Sequence, residues 1–352
     1  MTEWHPVFIF CVTAFAVACA IIGNVPHAAA EEGYVFATKW GALGNYDGML
    51  NVPAGIAVDK SGDVYVADTN NNRVEKFSGD GKFLAKWGTY GRGDGQFNLP
   101  TSIAVDADGS VYVGDQSNNR IEEFNGSGTY IREFALGQYY PARIALDSSG
   151  DIYFVDPTKS AVIKFAKTGQ SLSKWGSLGS DDGQLSSPSG IAVDPSGDVY
   201  VADAGNNRVD EFTEDGVFLA KWGSAGSGAG QFDSPQGIAV DSVGDVYVTD
   251  TGNGRVQKFT NTGQFLAQFG SQGTGDGKFD SPAGIAVDAN GEVYVTDASY
   301  DNPNVQKFVP AGAQGHPTAT VPEFGTVALV SLAASFGILL AMTNTRAGPK
   351  NG

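Results

Sequence analysis

Residues Pro235–Gly270 read PQGIAVDSVGDVYVTDTGNGRVQKFTNTGQFLAQFG, and this stretch recurs, with changes, six times. Its Ile-Ala-Val/Leu-Asp core begins at Ile56, Ile103, Ile144, Ile191, Ile238 and Ile285, at intervals of 47, 41, 47, 47 and 47 residues. Within it, Gly237–Asp241, Val246–Val248, Arg255–Phe259 and Phe265–Phe269 are short runs rich in β-branched and aromatic residues, bounded by Gly, Asp, Asn or Ser. That is the composition of strands joined by tight turns. None of the runs is long enough for an ordinary helix. A period in the forties built from four such strands predicts a propeller blade. One blade cannot bury both of its faces, so neighbours must stack around a ring. The expected fold class is therefore all-β, a six-bladed propeller of four-stranded antiparallel blades over residues 31–309.

The ends of the repeat array predict how the ring closes. Repeat six supplies Ile285–Asp288, Val293–Asp297 and Val305–Phe308 and then stops without a fourth strand. The chain ahead of repeat one carries Tyr34–Gly41, YVFATKWG, which matches the fourth-strand segments ending at Trp87-Gly88, Trp175-Gly176, Trp222-Gly223 and Phe269-Gly270. The N-terminal strand is expected to complete blade six. Closure of this kind leaves no unpaired sheet edge between the termini.

These motifs resemble the NHL-repeat family: Pro-x-Gly-Ile-Ala-Val-Asp, then Gly-Asp-Val-Tyr-Val-Ala-Asp, then Asn-Asn-Arg-Val, then Gly-x-Phe-Leu-x-x-Trp-Gly, then Gly-Asp-Gly-Gln-Phe. The resemblance covers residues 34–309. Blade three departs from it, with Ala161 at the Arg position and six residues fewer in the preceding loop; blade six has Asn304 there after a two-residue insertion. The resemblance implies a six-bladed propeller that usually serves as a binding platform and occasionally as a lyase.

Composition narrows the function. The formal charge is −17. Setting aside Glu3, Glu323, Arg346 and Lys350 near the termini leaves 20 basic and 37 acidic side chains, still −17. Such a surface repels phosphate backbones, so no nucleic-acid partner is expected. Cys11 and Cys19 both lie in an N-terminal apolar run, so the propeller has no thiol nucleophile, disulfide or cysteine zinc site. His5, His27 and His316 also fall outside it, which removes histidine-ligated zinc and Ser-His or Cys-His nucleophiles.

Outside the repeats, residues 7–22 are an apolar run of 16, followed by Ala28-Ala29-Ala30. This reads as a signal peptide over 1–30, cut by signal peptidase. Residues 310–321, small and Pro-containing, read as a flexible linker. Residues 322–352 hold Pro322-Glu-Phe-Gly325, a 17-residue apolar run at 326–342 and a tail with Arg346 and Lys350. The run is at the lower limit for a transmembrane helix. The arrangement resembles the archaeal PEFG-CTERM sorting signal, which implies processing by an archaeosortase. Either terminal reading places the propeller outside the cell, at the surface, tethered to the membrane through its C-terminus. Asn125-Gly126-Ser127 is a glycosylation sequon that suits an exported protein.

Two kinds of candidate residue stand out. Residues repeated in every blade are read as structural: Asp68, Asp115, Asp203 and Asp250, each five residues ahead of Arg73, Arg120, Arg208 and Arg255, are expected to pair across a turn. Residues that break the repeat are read as functional. Blade three offers Tyr139, Tyr140 and Arg143, the last at a position that is Gly55, Gly190, Gly237 or Gly284 elsewhere; blade six offers Tyr300 and Asp301. These are expected to flank the channel mouth from opposite sides, forming a groove for an envelope protein, glycan or peptide. Asp47, Asp94, Asp182 and Asp276 in Gly-rich loops are candidate calcium ligands, since calcium takes six to eight oxygens. The expected function is binding. The alternatives are a calcium-dependent lyase or lactonase at the channel mouth and a structural envelope component.

Overall fold

The computed structural model describes residues 33–312. They form six antiparallel four-stranded sheets. The inner strands are Pro53–Val58, Pro100–Val105, Arg143–Leu146, Pro188–Val193, Pro235–Val240 and Pro282–Val287, beginning blades one to six in order. In the stretch quoted above, the inner strand is followed by Val246–Asp250, Arg255–Phe259 and Phe265–Phe269. Blade six is completed by Tyr34–Trp40, paired antiparallel with Asn304–Pro310.

Burial follows strand position. The second strand of every blade is buried along its whole length, as is most of each third strand; the second strands are mostly apolar, whereas third strands such as RVEKF bury charged and polar side chains as well. The fourth strand alternates, as in Phe218–Trp222, because one of its faces meets water. The core lies between blades. Ile56, Val64, Val66 and Phe77 of blade one pack with Ala286, Tyr294 and Val305 of blade six, and five similar clusters complete the circle.

The repeated aromatics have distinct tasks. Tyr65, Tyr112, Tyr153, Tyr200, Tyr247 and Tyr294 are almost fully buried. Tyr65 and Tyr247 donate hydrogen bonds of 2.9 Å to Asp59 and Asp241. The other Asp59 oxygen accepts the amides of Ser61 and Asp63, which holds the first turn. Trp40, Trp87, Trp175 and Trp222 are only partly buried, and each lies flat against a turn glycine of the next blade. A Cβ at Gly81 would stand 2.5 Å from the Trp40 ring, and Gly81 also has φ +83°, so the turn needs glycine for both reasons.

The 7–22 run, most of the 310–321 linker and the 322–352 segment lie outside the described residues. Among those described, no helix is long and apolar enough to cross a membrane.

Candidate binding face

Strand direction assigns the loops. The second-to-third and fourth-to-first connections emerge on one face of the ring; the first-to-second and third-to-fourth turns emerge on the other. On the loop-rich face, each second-to-third connection in blades one, two, four and five is a single 3-10 turn, such as Thr69–Asn71, ended by a left-handed residue. Asn72, Asn119 and Asn207 take that conformation and Gly254 takes it in blade five, which explains the repeated Asn-Asn-Arg.

The repeated Asp and Arg form a staple under this face. Asp68 pairs with Arg73 directly across the strands. Arg73 Nε donates to Asp68 Oδ2 at 2.8 Å, Nη1 to the Asn45 carbonyl at 2.7 Å, and Nη2 to the Met49 carbonyl at 2.6 Å. The other Asp68 oxygen accepts the Asn51 amide at 2.7 Å. The staple thus ties the loop joining blades six and one to the wall of blade one. Asp115 with Arg120, and Asp250 with Arg255, repeat the contact at 2.9 and 2.8 Å; Asp203 with Arg208 does so at 3.2 Å. Most of their donors and acceptors are used internally, so these residues serve to hold the loops.

Sequence reasoning missed a further member of each staple. Two residues beyond the Arg, on the same strand face, stand Glu75, Glu122, Asp210 and Gln257, with Gln306 two beyond Asn304 in blade six, all buried. Glu75 lies 2.8 Å from Arg73 and accepts the Gly48 amide. The signal was a polar residue recurring two places beyond the Arg position in five of the six blades, the exception being Ile163. Burial, and the charge of the neighbouring Asp, outweigh the arginine and push Glu75, Glu122 and Asp210 up to about 7. The folded protein therefore holds these protons at pH values where the unfolded chain has released them. Their contribution to stability is complete below the ordinary carboxylate range and is lost as pH rises through 7. Blade five already carries Gln257, whose Oε1 accepts the Gly230 amide and whose Nε2 donates to the Gln231 carbonyl. Glu75→Gln and Glu122→Gln are expected to raise stability at pH 8 relative to pH 5 by about 1 kcal/mol each, since water screens part of the shift. Melting both variants and the parent at the two pH values checks this; parallel pH dependence in all three rules it out.

The repeat-breaking residues do not come together as one groove. Blades three and six are indeed opposite in the ring. Tyr139, however, is partly buried against the core between blades two and three and meets Phe154 edge-on at 6.0 Å, so it serves packing. The Tyr140 amide donates to Asp156, which has no arginine in this blade. Arg143 lies against the inner strands of blades two and three, donating from Nη1 to the Thr101 and Ala142 carbonyls. Tyr300 and Asp301 are exposed on blade six.

The calcium candidates are also separate. Asp47, Asp182 and Asp276 pair with Lys86, Lys221 and Lys39 at 2.6, 2.8 and 2.7 Å. Asp94 lies by Tyr130, whose phenol is raised by burial and then by that charge. Among the described residues, no three His, Cys, Asp or Glu side chains are grouped to hold a metal. Asn125 sits in an exposed turn where its Oδ1 accepts the Ser127 and Thr129 amides, leaving Nδ2, the atom glycosylation would use, pointing away from those bonds.

What the loop-rich face does expose is a set of large side chains of which the sequence reading picked out only Tyr300. Tyr46, Tyr90, Leu178 and Tyr300 are 75%, 72%, 74% and 74% exposed, and Leu43 joins them. Leu43, Tyr90 and Leu178 occupy one loop position that is Ala225 and Gln272 in later repeats, so the fold does not require them. A cleft of about 190 Å³ lies by Arg92, Asn118, Asn119, Arg120, Glu133 and Ala135, next to the shortened blade-three loop. A second, of about 340 Å³, opens on the opposite face between blades one and two, among Asp59, Lys60, Lys76, Asp106 and Asp108.

Ring, staples and repeats together define a six-bladed β-propeller carrying NHL repeats. The NHL repeat profile matches five segments, 50–77, 97–124, 185–212, 232–259 and 279–308, and passes over the irregular blade three. The chain is 41% identical over 49 residues to the B-box type zinc finger protein ncl-1 of Caenorhabditis elegans, which covers 14% of this chain and 6% of that protein. In three dimensions it resembles virginiamycin B lyase from Staphylococcus aureus, with TM-score 0.55, 16% identity, and 79% and 99% of the two chains covered. It also resembles a gluconolactonase from Xanthomonas campestris, with TM-score 0.54, 18% identity, and 74% and 86% covered. At these identities the likeness is one of fold.

Proposed function

We propose that this propeller is an exported, surface-tethered binding module that holds an envelope protein, glycan or peptide on its loop-rich face. The supporting observation is the set Leu43, Tyr46, Tyr90, Leu178 and Tyr300, exposed on that one face at positions the repeat leaves free. Single exposed apolar residues are ordinary. Tyr46 and Tyr90 on stapled loops, with Tyr300 on the same face, are different, because they offer large contact area at little loss of side-chain freedom. Export and tethering rest on the 7–22 run with its Ala28-Ala29-Ala30 site for signal peptidase, and on the 322–352 segment as an archaeosortase substrate. A calcium-dependent lyase or lactonase is the alternative suggested by the fold likeness; no histidine lies within 33–312 to serve it. A purely structural envelope role would leave the aromatic set unused.

The test is surface plasmon resonance of the full chain against defined oligosaccharides and peptides, with and without calcium. A binder is expected whose affinity falls by about 100-fold or more in the triple variant Tyr46→Ala/Tyr90→Ala/Tyr300→Ala, since central aromatics of an interface commonly contribute a factor of about ten or more each. The melting temperature should not move. An unchanged affinity in the triple variant sinks the proposal, and calcium-dependent turnover of a lactone or lyase substrate would favour the enzyme instead.

A further inference from the structure

Six arginines sit at strand positions among the described residues, and five of them are neutralised. Arg73, Arg120, Arg132, Arg208 and Arg255 each meet one or more buried carboxylates. Arg143 meets none among the described residues. Its Nη1 is fixed by the Thr101 carbonyl at 2.7 Å and the Ala142 carbonyl at 3.1 Å. Its Nε is buried without a partner, and among the described residues its side-chain hydrogen bonds all leave from Nη1. Burial alone acts on the group, pushing its pKa down to about 10, with no acidic neighbour offsetting it. In a chain of net charge −17 this cation has no carboxylate beside it among the described residues.

The position itself is singular. Gly55, Gly190, Gly237 and Gly284 stand at the equivalent place, where a Cβ would fall 2.2–2.7 Å from the backbone of the neighbouring inner strand. Blade two has Ser102, which is buried and turned toward Gly114 of its own sheet. Blade three alone carries a long side chain here, on an inner strand two residues shorter than its neighbours'. A half-buried cation whose Nε is shut from water and has no partner is unfavourable unless something completes it. The Nε–Nη2 edge of a guanidinium is a flat two-donor fork that matches a carboxylate in bidentate fashion.

We propose that the inner-strand wall at Arg143 is a binding site for a single carboxylate, received by the free Nε–Nη2 edge while Nη1 keeps the guanidinium anchored to blades two and three. A singly charged group suits the site better than a polyanion, which the acidic surface repels at longer range. The proposal is separate from the aromatic rim and does not depend on it.

The experiment is a thermal melt of the full chain in chloride at constant ionic strength, titrated with acetate and, in parallel, with inorganic phosphate. The comparison variants are Arg143→Gly, the residue four other blades carry, and Arg143→Lys. Anions also change stability generally, by exclusion from the surface, and the glycine variant subtracts that effect. Acetate is expected to raise the parent's melting temperature saturably, by about 2–3 °C at tenfold excess over Kd. Arg143→Gly should fold, lose this response entirely and show no lower melting temperature without acetate; Arg143→Lys, a point charge without the fork, should keep only part of it. The side-chain Nε–H signal of Arg143, identified by its loss in Arg143→Gly, should shift with acetate over the same range. An equal response in parent and glycine variant, or no saturable response in the parent, overturns the site. A response to phosphate without one to acetate overturns its assignment to a carboxylate. The triple tyrosine variant should retain the full acetate response, which keeps failure at the rim distinct from failure here.

Discussion

Deleting Tyr34–Trp40 is expected to abolish the folded ring. The strand supplies the whole fourth position of blade six and pairs along Asn304–Pro310 from Tyr34 opposite Pro310 to Trp40 opposite Val305. Tyr34 stacks on Phe269 of blade five at 4.7 Å, and its hydroxyl lies 2.8 Å from that of Tyr247. Trp40 packs on Tyr294 and, across the junction, on Phe77 of blade one. One strand from the far end of the chain thus joins blades five, six and one. Losing three partly buried aromatics removes several kcal/mol at about 25 cal/mol per Å², against a total stability on the order of 5–15 kcal/mol. It also uncovers the edge of Asn304–Pro310. The deleted chain should lack a cooperative melt and aggregate, and a synthetic peptide of residues 33–41 should restore some of the transition by adding the strand in trans. A deletion variant melting within two or three degrees of the parent, taken as roughly 1 kcal/mol for a chain this size, would show that closure matters little.

The architecture was legible because two signals agree at every level: a 47-residue period and, within it, strands whose composition alternates with turn residues. The closing strand was legible for the same reason, since YVFATKWG repeats the fourth-strand pattern. The site was less legible. Blades three and six were singled out by departure from the repeat, yet Tyr139 departs in order to pack against Phe154, filling a core beside a shortened loop. Departure measures difference, and a packing repair differs as much as a ligand contact does. Tyr46, Tyr90 and Leu178 were overlooked for the converse reason. They lie in loops that otherwise keep the repeat, and the sequence does not say which loop positions are solvent-facing. The second carboxylate of the staple could have been read, because Arg73 and Glu75 are two apart on a strand and must share a face.

Arg73→Ala is expected to cost about 3–5 kcal/mol, the range for removing one partner of a buried ion pair and leaving the other uncompensated. The loss has two parts. Asp68 and Glu75 remain buried together without their cation, and the Asn45, Tyr46 and Met49 carbonyls lose the donors that hold the loop. The chain contains its own controls. Blade six replaces the Arg and its partner two residues on with Asn304 and Gln306; blade three replaces them with Ala161 and Ile163, and Ile163 is fully buried in the core. In both, the charged pair is given up together. Arg73→Ala/Glu75→Ile, which copies blade three, should therefore be more stable than Arg73→Ala alone, because the buried carboxylate goes with its partner, but should stay below the parent, because the long blade-one loop still lacks its anchor. Arg73→Ala should also recover stability as pH falls from 8 to 5, where Glu75 and then Asp68 take up protons, both being raised by burial. Denaturant melts of the three proteins at both pH values measure each effect. A double variant no better than the single at pH 8 would mean that the loop anchor, and not the buried charge, carries the cost.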